Sequence, residues 1–162
     1  MPGAVFLRGE SINLRTVKLD DHGFLHEHGN DPDIREGAPA PTPVSERDTE
    51  EFVESDSSVQ FLPCRDGTPV GFVFLFGIDY ERDHAEVGYW IVPDEQGKGY
   101  ATEAVALCLE HAFGDRGLHK VFARVFDHND TSMGVLESLG FQQEGSLREQ
   151  DYVRGKYRDT YL

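Results

Sequence analysis

The stretch DEQGKGYATEAV, Asp94 to Val105, decides how this 162-residue chain is read. Gly97, Gly99 and Ala101 stand just ahead of a helical pattern. From Ala101 the apolar positions run on through Ala104, Val105, Cys108, Leu109, Ala112 and Phe113. That spacing of threes and fours is the apolar face of an amphipathic helix. Backbone this bare at the mouth of a helix leaves the first N–H groups uncovered. Together with the helix dipole they make a site for an anion, and a pyrophosphate in particular. Two nucleotide loops fail on spacing. A P-loop needs Ser or Thr after its lysine and a glycine five residues before Gly97; here Gly99 follows Lys98, and position 92 is Val92. A GxGxxG fingerprint needs glycine where the chain has Thr102.

Working outward, the segments on both sides read as a mixed α/β (α+β) chain with a mostly antiparallel sheet. SINLRTV (Ser11 to Val17) alternates as a strand, and an aspartate at 20 or 21 caps a short helix through His28. Asp31-Pro32 marks a turn, and residues 37–43, GAPAPTP, are a Pro-rich loop. Ser45 with Asp48 forms a capping box opening a helix to about Glu54. Residues 59–64 and 69–78 are apolar runs joined at Asp66-Gly67, a hairpin signal. HAEVGYWIV follows as a third strand, ending at Pro93. Beyond the helix lie a strand over His119–Phe126, a short helix from about Asp130 to Leu139, and two strands at 142–150 and 156–162. With no internal repeat and no linker, one domain is expected.

Composition narrows the partners. Thirty acidic residues against 15 basic give a net charge of −15, which repels phosphate backbones and argues against nucleic acid. Two readings of the charge stand open: attraction of cationic amines, or a solvated surface suited to a salty cytoplasm. Only four of the 15 basic residues are lysines (Lys18, Lys98, Lys120 and Lys156). The longest apolar run, Val70 to Ile78, is too short to span a bilayer, and the N-terminus lacks a signal-peptide pattern. Cys64 and Cys108 match no metal or redox spacing, so a cytoplasmic protein with reduced thiols is expected. His22 and His26 fall on one helix face without the carboxylate partners a metal site needs; no metal is expected.

Gln96-x-x-Gly99-x-Ala101 resembles the Q/R-x-x-G-x-G/A signature of the GNAT acetyltransferase superfamily. Leu14-Arg15, Glu86-x-Gly88-Tyr89-Trp90, Asn129-x-x-Ser132, Leu139-Gly140-Phe141 and Glu144-Gly145-x-x-Arg148 follow in the order of its ribosomal-protein N-terminal acetyltransferase branch. The resemblance spans about residues 5–162. It implies a GNAT fold, a twisted sheet flanked by helices, with acetyl-CoA in the cleft where the Gly-Tyr-Trp strand meets the helix after Gly99. Trp90, Ile91 and Val92 would bond the pantetheine arm through their backbone. Gln96, Gly97, Lys98, Gly99, Tyr100, Ala101 and Thr102 would wrap the pyrophosphate, and Asn129 would anchor pantetheine near the thiol; Asn129 also fits a plain helix cap.

Acetyl transfer to an amine moves two protons: one leaves the ammonium and one reaches the departing thiolate. Glu86 is the candidate base, on the strand face it shares with Gly88 and Trp90, where Gly88 leaves room. Many superfamily members carry a tyrosine at the position of Leu136. Without it, Ser132 is the candidate at the thiolate, with Tyr152 and Tyr157 behind it. The expected acceptor is a protein N-terminal α-amine; a polyamine or aminoglycoside-like amine is second, and a non-catalytic acetyl-CoA-binding module is the reading from another class. The last strand runs to Leu162, so a partner, in the simplest case a second copy, or a shortened sheet is expected at that edge.

Overall fold

The computed structural model describes residues 2–38 and 42–162; part of the Pro-rich loop, residues 39–41, lies outside them. Two short strands, β1 (Val5–Arg8) and β2 (Asn13–Thr16), form a hairpin, and three helices follow: α1 (His22–Gly29), α2 (Pro32–Arg35) and α3 (Glu46–Glu54). Asp31 caps α2 through its carboxylate, which accepts from the Asp33 N–H at 2.8 Å; Asp-Pro here starts a helical turn instead of a simple turn. Ser45 and Asp48 close the capping box of α3. Then come β3 (Val59–Arg65), β4 (Thr68–Pro69), β5 (Gly71–Asp79) and β6 (His84–Ile91). The tight turn between β3 and β4 is made by Asp66 and Gly67, both at positive φ. Two such residues are what a type I′ hairpin turn requires.

The helix expected after Gly99 is α4 (Tyr100–Glu110), prolonged by one π turn to Asp115. It is the crossover between β6 and β7 (Lys120–Phe122), the one parallel pair in the sheet. Its buried face carries Ala104, Val105, Leu107 and Cys108 into a core shared with Val73, Leu75, Val87 and Ile91. Burying one such aliphatic side chain contributes about 1.5–3 kcal/mol, so α4 is fixed to the sheet by its apolar stripe and not by its bare first turn. The large sheet runs β1-β2-β3-β5-β6-β7, with β4 paired to β3.

The single strand expected over 119–126 is divided. β7 ends at Phe122, and Val125–Phe126 forms β8 in a separate sheet, ordered β8-β10-β9 with β9 (Ser146–Val153) and β10 (Lys156–Tyr161). Between β8 and β9 lies α5 (Asp130–Ser138). The division opens a cleft. Pairing of β6 with β7 stops at Glu86↔Phe122, and the remaining five residues of β6, Val87 to Ile91, run on beside no β7 partner. On the opposite face of the sheet, Phe72 packs with Leu25, Leu62 and Cys64, flanked by Phe52, Phe74 and Trp90. Phe72 and Phe74 therefore belong to core packing.

Candidate active site

The open length of β6 is the first component. Val92 donates its N–H to the Val70 carbonyl at 2.9 Å, which sets the phase of antiparallel bonding with β5. In that phase Trp90 also turns its backbone to β5, opposite Phe72. The groups left facing the cleft belong to Tyr89 and Ile91. The Trp90 and Val92 backbone is thus engaged by β5, and of the three residues expected along pantetheine Ile91 is the one whose N–H is left facing the cleft. Its carbonyl accepts from the Gln96 side chain at 2.9 Å, so Gln96 fastens the loop to the strand end.

The second component is the start of α4. Gly97 and Gly99 have φ of +75° and +83°, and no atom lies within 4 Å of where a Cβ would stand on either. Only glycine takes this conformation without strain. Gly99 occupies the cap position with no side-chain bond, and its carbonyl accepts from the Glu103 N–H. Glu103 itself turns away, accepting from the N–H groups of Ser11 and Ile12. The N–H groups of Tyr100, Ala101 and Thr102, the first orphan donors of the helix, stay clear of side-chain caps. The side chains of Lys98 and Tyr100 are engaged within the protein. Lys98 Nζ pairs with Glu95 at 2.7 Å, holding that carboxyl below its usual value, while the Tyr100 ring is buried and its hydroxyl accepts from Arg65 at 3.4 Å.

The third component is the floor, where Glu86 is locked. Its carboxylate receives a forked pair of bonds from Arg124, Nε to Oε1 at 3.0 Å and Nη2 to Oε2 at 2.8 Å. Arg124 sits in the break between β7 and β8, so the pair ties the two arms of the cleft at its apex. The Glu86 bond in turn holds the Arg124 guanidinium above its ordinary value. Both carboxylate oxygens accept from Arg124. The space expected above Gly88 is also filled: a Cβ there would stand 2.4 Å from the Phe74 ring. Arg124 carried no recognisable signal in the sequence, because its partner is 38 residues away.

The fourth component is the N-terminus of α5. Asn129 caps it, its Oδ1 accepting from the Ser132 N–H at 3.1 Å, and its Nδ2 lies 2.9 Å from where a Cβ on Gly37 would stand. The capping reading of Asn129 is therefore real. Ser132 faces inward and its hydroxyl meets that of Tyr89 from β6. Leu136, one turn on, is buried and apolar. Tyr152 and Tyr157 face solvent, stacked edge to face on each other at 5.1 Å. Tyr89 was missed because its side chain alternates toward the core face; Ser132 gave no hint of its partner.

A parallel strand pair that splays beside a glycine-flanked helix start leaves a cleft with uncapped backbone N–H groups at its mouth, suited to an anion. Residues 11–142 match the family model described as Acetyltransferase (GNAT) domain. The chain belongs to this acetyltransferase family. It is 29% identical to an uncharacterized N-acetyltransferase p20 of Bacillus licheniformis over 94% of this chain and 91% of that one. Among solved structures, the spermidine N-acetyltransferase of Vibrio cholerae in complex with CoA and spermine superposes with a TM-score of 0.88 at 26% identity, covering 94% of each chain. RimJ of Mycobacterium smegmatis in complex with CoA-disulfide gives 0.81 at 25% identity, over 93% of this chain and 79% of that one. Acetyl-CoA is the acyl donor, and the bare α4 start and open β6 edge fit its pyrophosphate and pantetheine. Among the described residues no group of three His, Cys, Asp or Glu side chains is placed to hold a metal. No helix among them is long and apolar enough to cross a membrane.

Proposed function

We propose that the chain transfers the acetyl group of acetyl-CoA to a primary amine by direct attack on the thioester. The observation that carries this is the uncapped start of α4, with Gly97 and Gly99 at positive φ, opening beside the length of β6 that has no β7 partner. The N–H groups of Tyr100 to Thr102 hold the pyrophosphate, and the Tyr89 and Ile91 backbone lies along the pantetheine. Asn129 orders the first turn of α5, and Ser132 supplies the hydroxyl at the departing sulfur.

The locked Glu86 bears on the acceptor. A free carboxylate base is needed most by an amine that is almost wholly protonated. An N-terminal α-amine, with a pKa of about 7.7–8.0, is roughly a third neutral near pH 7.5; an alkylamine of about 10.4 is neutral only about once in a thousand. A site whose buried carboxylate is spent on Arg124 suits the first better. The acceptor read here is accordingly a protein N-terminal α-amine, and the similarity to RimJ supports it. A polyamine is the second reading, favoured by the similarity to the spermine-bound Vibrio cholerae enzyme and by the net charge of −15. Thiol release with N-terminal peptides and with spermidine, compared by kcat/KM near neutral pH, distinguishes them. Peptides are expected to be the better substrates; a higher kcat/KM for spermidine would reverse the assignment.

A further inference from the structure

Tyr89 and Ser132 come from different elements, β6 and α5, and meet hydroxyl to hydroxyl in the cleft wall. The phenol also lies 3.3 Å from the Ser132 carbonyl, the longer of its two contacts. A phenol has one proton; either hydroxyl can donate across the close contact, and the phenol can give its proton there to Ser132 Oγ. Once Ser132 Oγ has accepted that bond, its own proton is free to turn elsewhere. The cap bond from Asn129 to the Ser132 N–H fixes the backbone from which that hydroxyl swings. The other hydroxyls on α5 lie elsewhere: Thr131 is exposed, Leu136 holds the next inward position, and Ser138 bonds the Val135 carbonyl at 2.7 Å.

We propose that Tyr89 is a positioning residue for acetyl transfer: its phenol donates to Ser132 Oγ, so that the serine proton points at the sulfur of the thioester. The proposal rests on the reading of Ser132 given above. In the reaction the amine nitrogen forms a bond to the acetyl carbon and the C–S bond breaks. The electron pair stays on sulfur, and the nitrogen loses its proton to water. Ser132 stabilises the sulfur's developing charge by a hydrogen bond, and two hydroxyls in series polarise each other. No proton has to leave Tyr89. Burial keeps the phenol above its usual range, against the opposing Ser132 bond, so it remains a donor at working pH.

The test is a double-mutant cycle of Tyr89→Phe and Ser132→Ala, read as thiol release from acetyl-CoA at saturating amine. Phenylalanine keeps the ring and its packing, so the melting temperature serves as the control for folding. Ser132→Ala should lower kcat by roughly 100- to 1,000-fold, the range for losing one preorganised donor. Tyr89→Phe should lower it by roughly tenfold with KM for acetyl-CoA unchanged, and the double variant should be no slower than Ser132→Ala alone. Losses that multiply, or full kcat in Tyr89→Phe, overturn the proposal while leaving acetyl transfer intact. Wild-type protein that releases no thiol with any amine overturns the transferase reading itself, and this proposal with it.

Discussion

Glu86→Gln asks whether this carboxylate moves protons or holds the cleft together. Glutamine preserves size but presents an amide where Arg124 needs a second acceptor, so the fork of bonds at 3.0 and 2.8 Å is lost. Breaking a fully buried pair costs about 3–5 kcal/mol. Here the glutamate is buried but the Arg124 side chain is 48% exposed, so water replaces much of what the guanidinium loses. A cost of about 1–3 kcal/mol follows, or roughly 3–10 °C in melting temperature for a chain of this size. Because the pair ties β6 to the β7–β8 break, the cleft should loosen and kcat should fall by about tenfold at every pH from about 6.5 to 9.5. Arg124→Leu should reproduce both effects. The assays are thermal melting and thiol release across that pH range. An unchanged melting temperature, with a kcat loss of roughly 10²–10⁴ that disappears at high pH, would refute the reasoning and make Glu86 the general base.

Three further outcomes are expected. Gly99→Val forces a β-branched residue to a φ of +83°, a strain of about 1–2 kcal/mol or more, and stands a side chain over the helix start. Acetyl-CoA affinity measured by calorimetry should collapse while the protein still folds; equal affinity would remove the loop assignment. Asn129→Ala should lower stability by ~1 kcal/mol through the lost cap, and weaken acetyl-CoA and free CoA binding alike. Ser132→Ala leaves both bindings unchanged. Burial pushes the thiols of Cys64 and Cys108 from 9.0 up to about 11 and about 12. Their neutral forms are the ones folding favours, so this contribution is whole below pH 9.0 and is lost as the pH rises toward about 11 and then about 12. Native protein should give no reaction with a thiol reagent near pH 8, and both cysteines should appear on denaturation.

The sequence made local features readable. The period of α4, the Asp66-Gly67 turn, the capping box at Ser45 and the Gly97/Gly99 loop all depend on residues close in the chain, and each stands where its spacing put it. At the end of α5, Phe141 donates its N–H to the Leu136 carbonyl after Gly140 at positive φ. What was not readable depends on partners far apart. HKVFARVF alternates like one strand, yet Arg124 breaks it, because its long side chain leaves the strand to meet Glu86. The β1 strand lacked alternation strong enough to separate it from an N-terminal tail. The backbone phase of β6 follows from its register with β5, and no pattern of side chains reveals which residues turn their N–H groups to the cleft.

The measurement that bears most directly on the account is the stoichiometry of acetyl transfer. Wild-type protein, acetyl-CoA and a peptide with a free α-amine are incubated near pH 7.5, thiol is followed optically, and the peptide is analysed by mass spectrometry. The account predicts one acetylated peptide amine for every thiol released, with no acetyl group on the protein and no release when the peptide amine is blocked. Tight binding of acetyl-CoA without thiol release on any peptide or small amine would contradict it, and leave a module that binds the thioester without transferring its acetyl group.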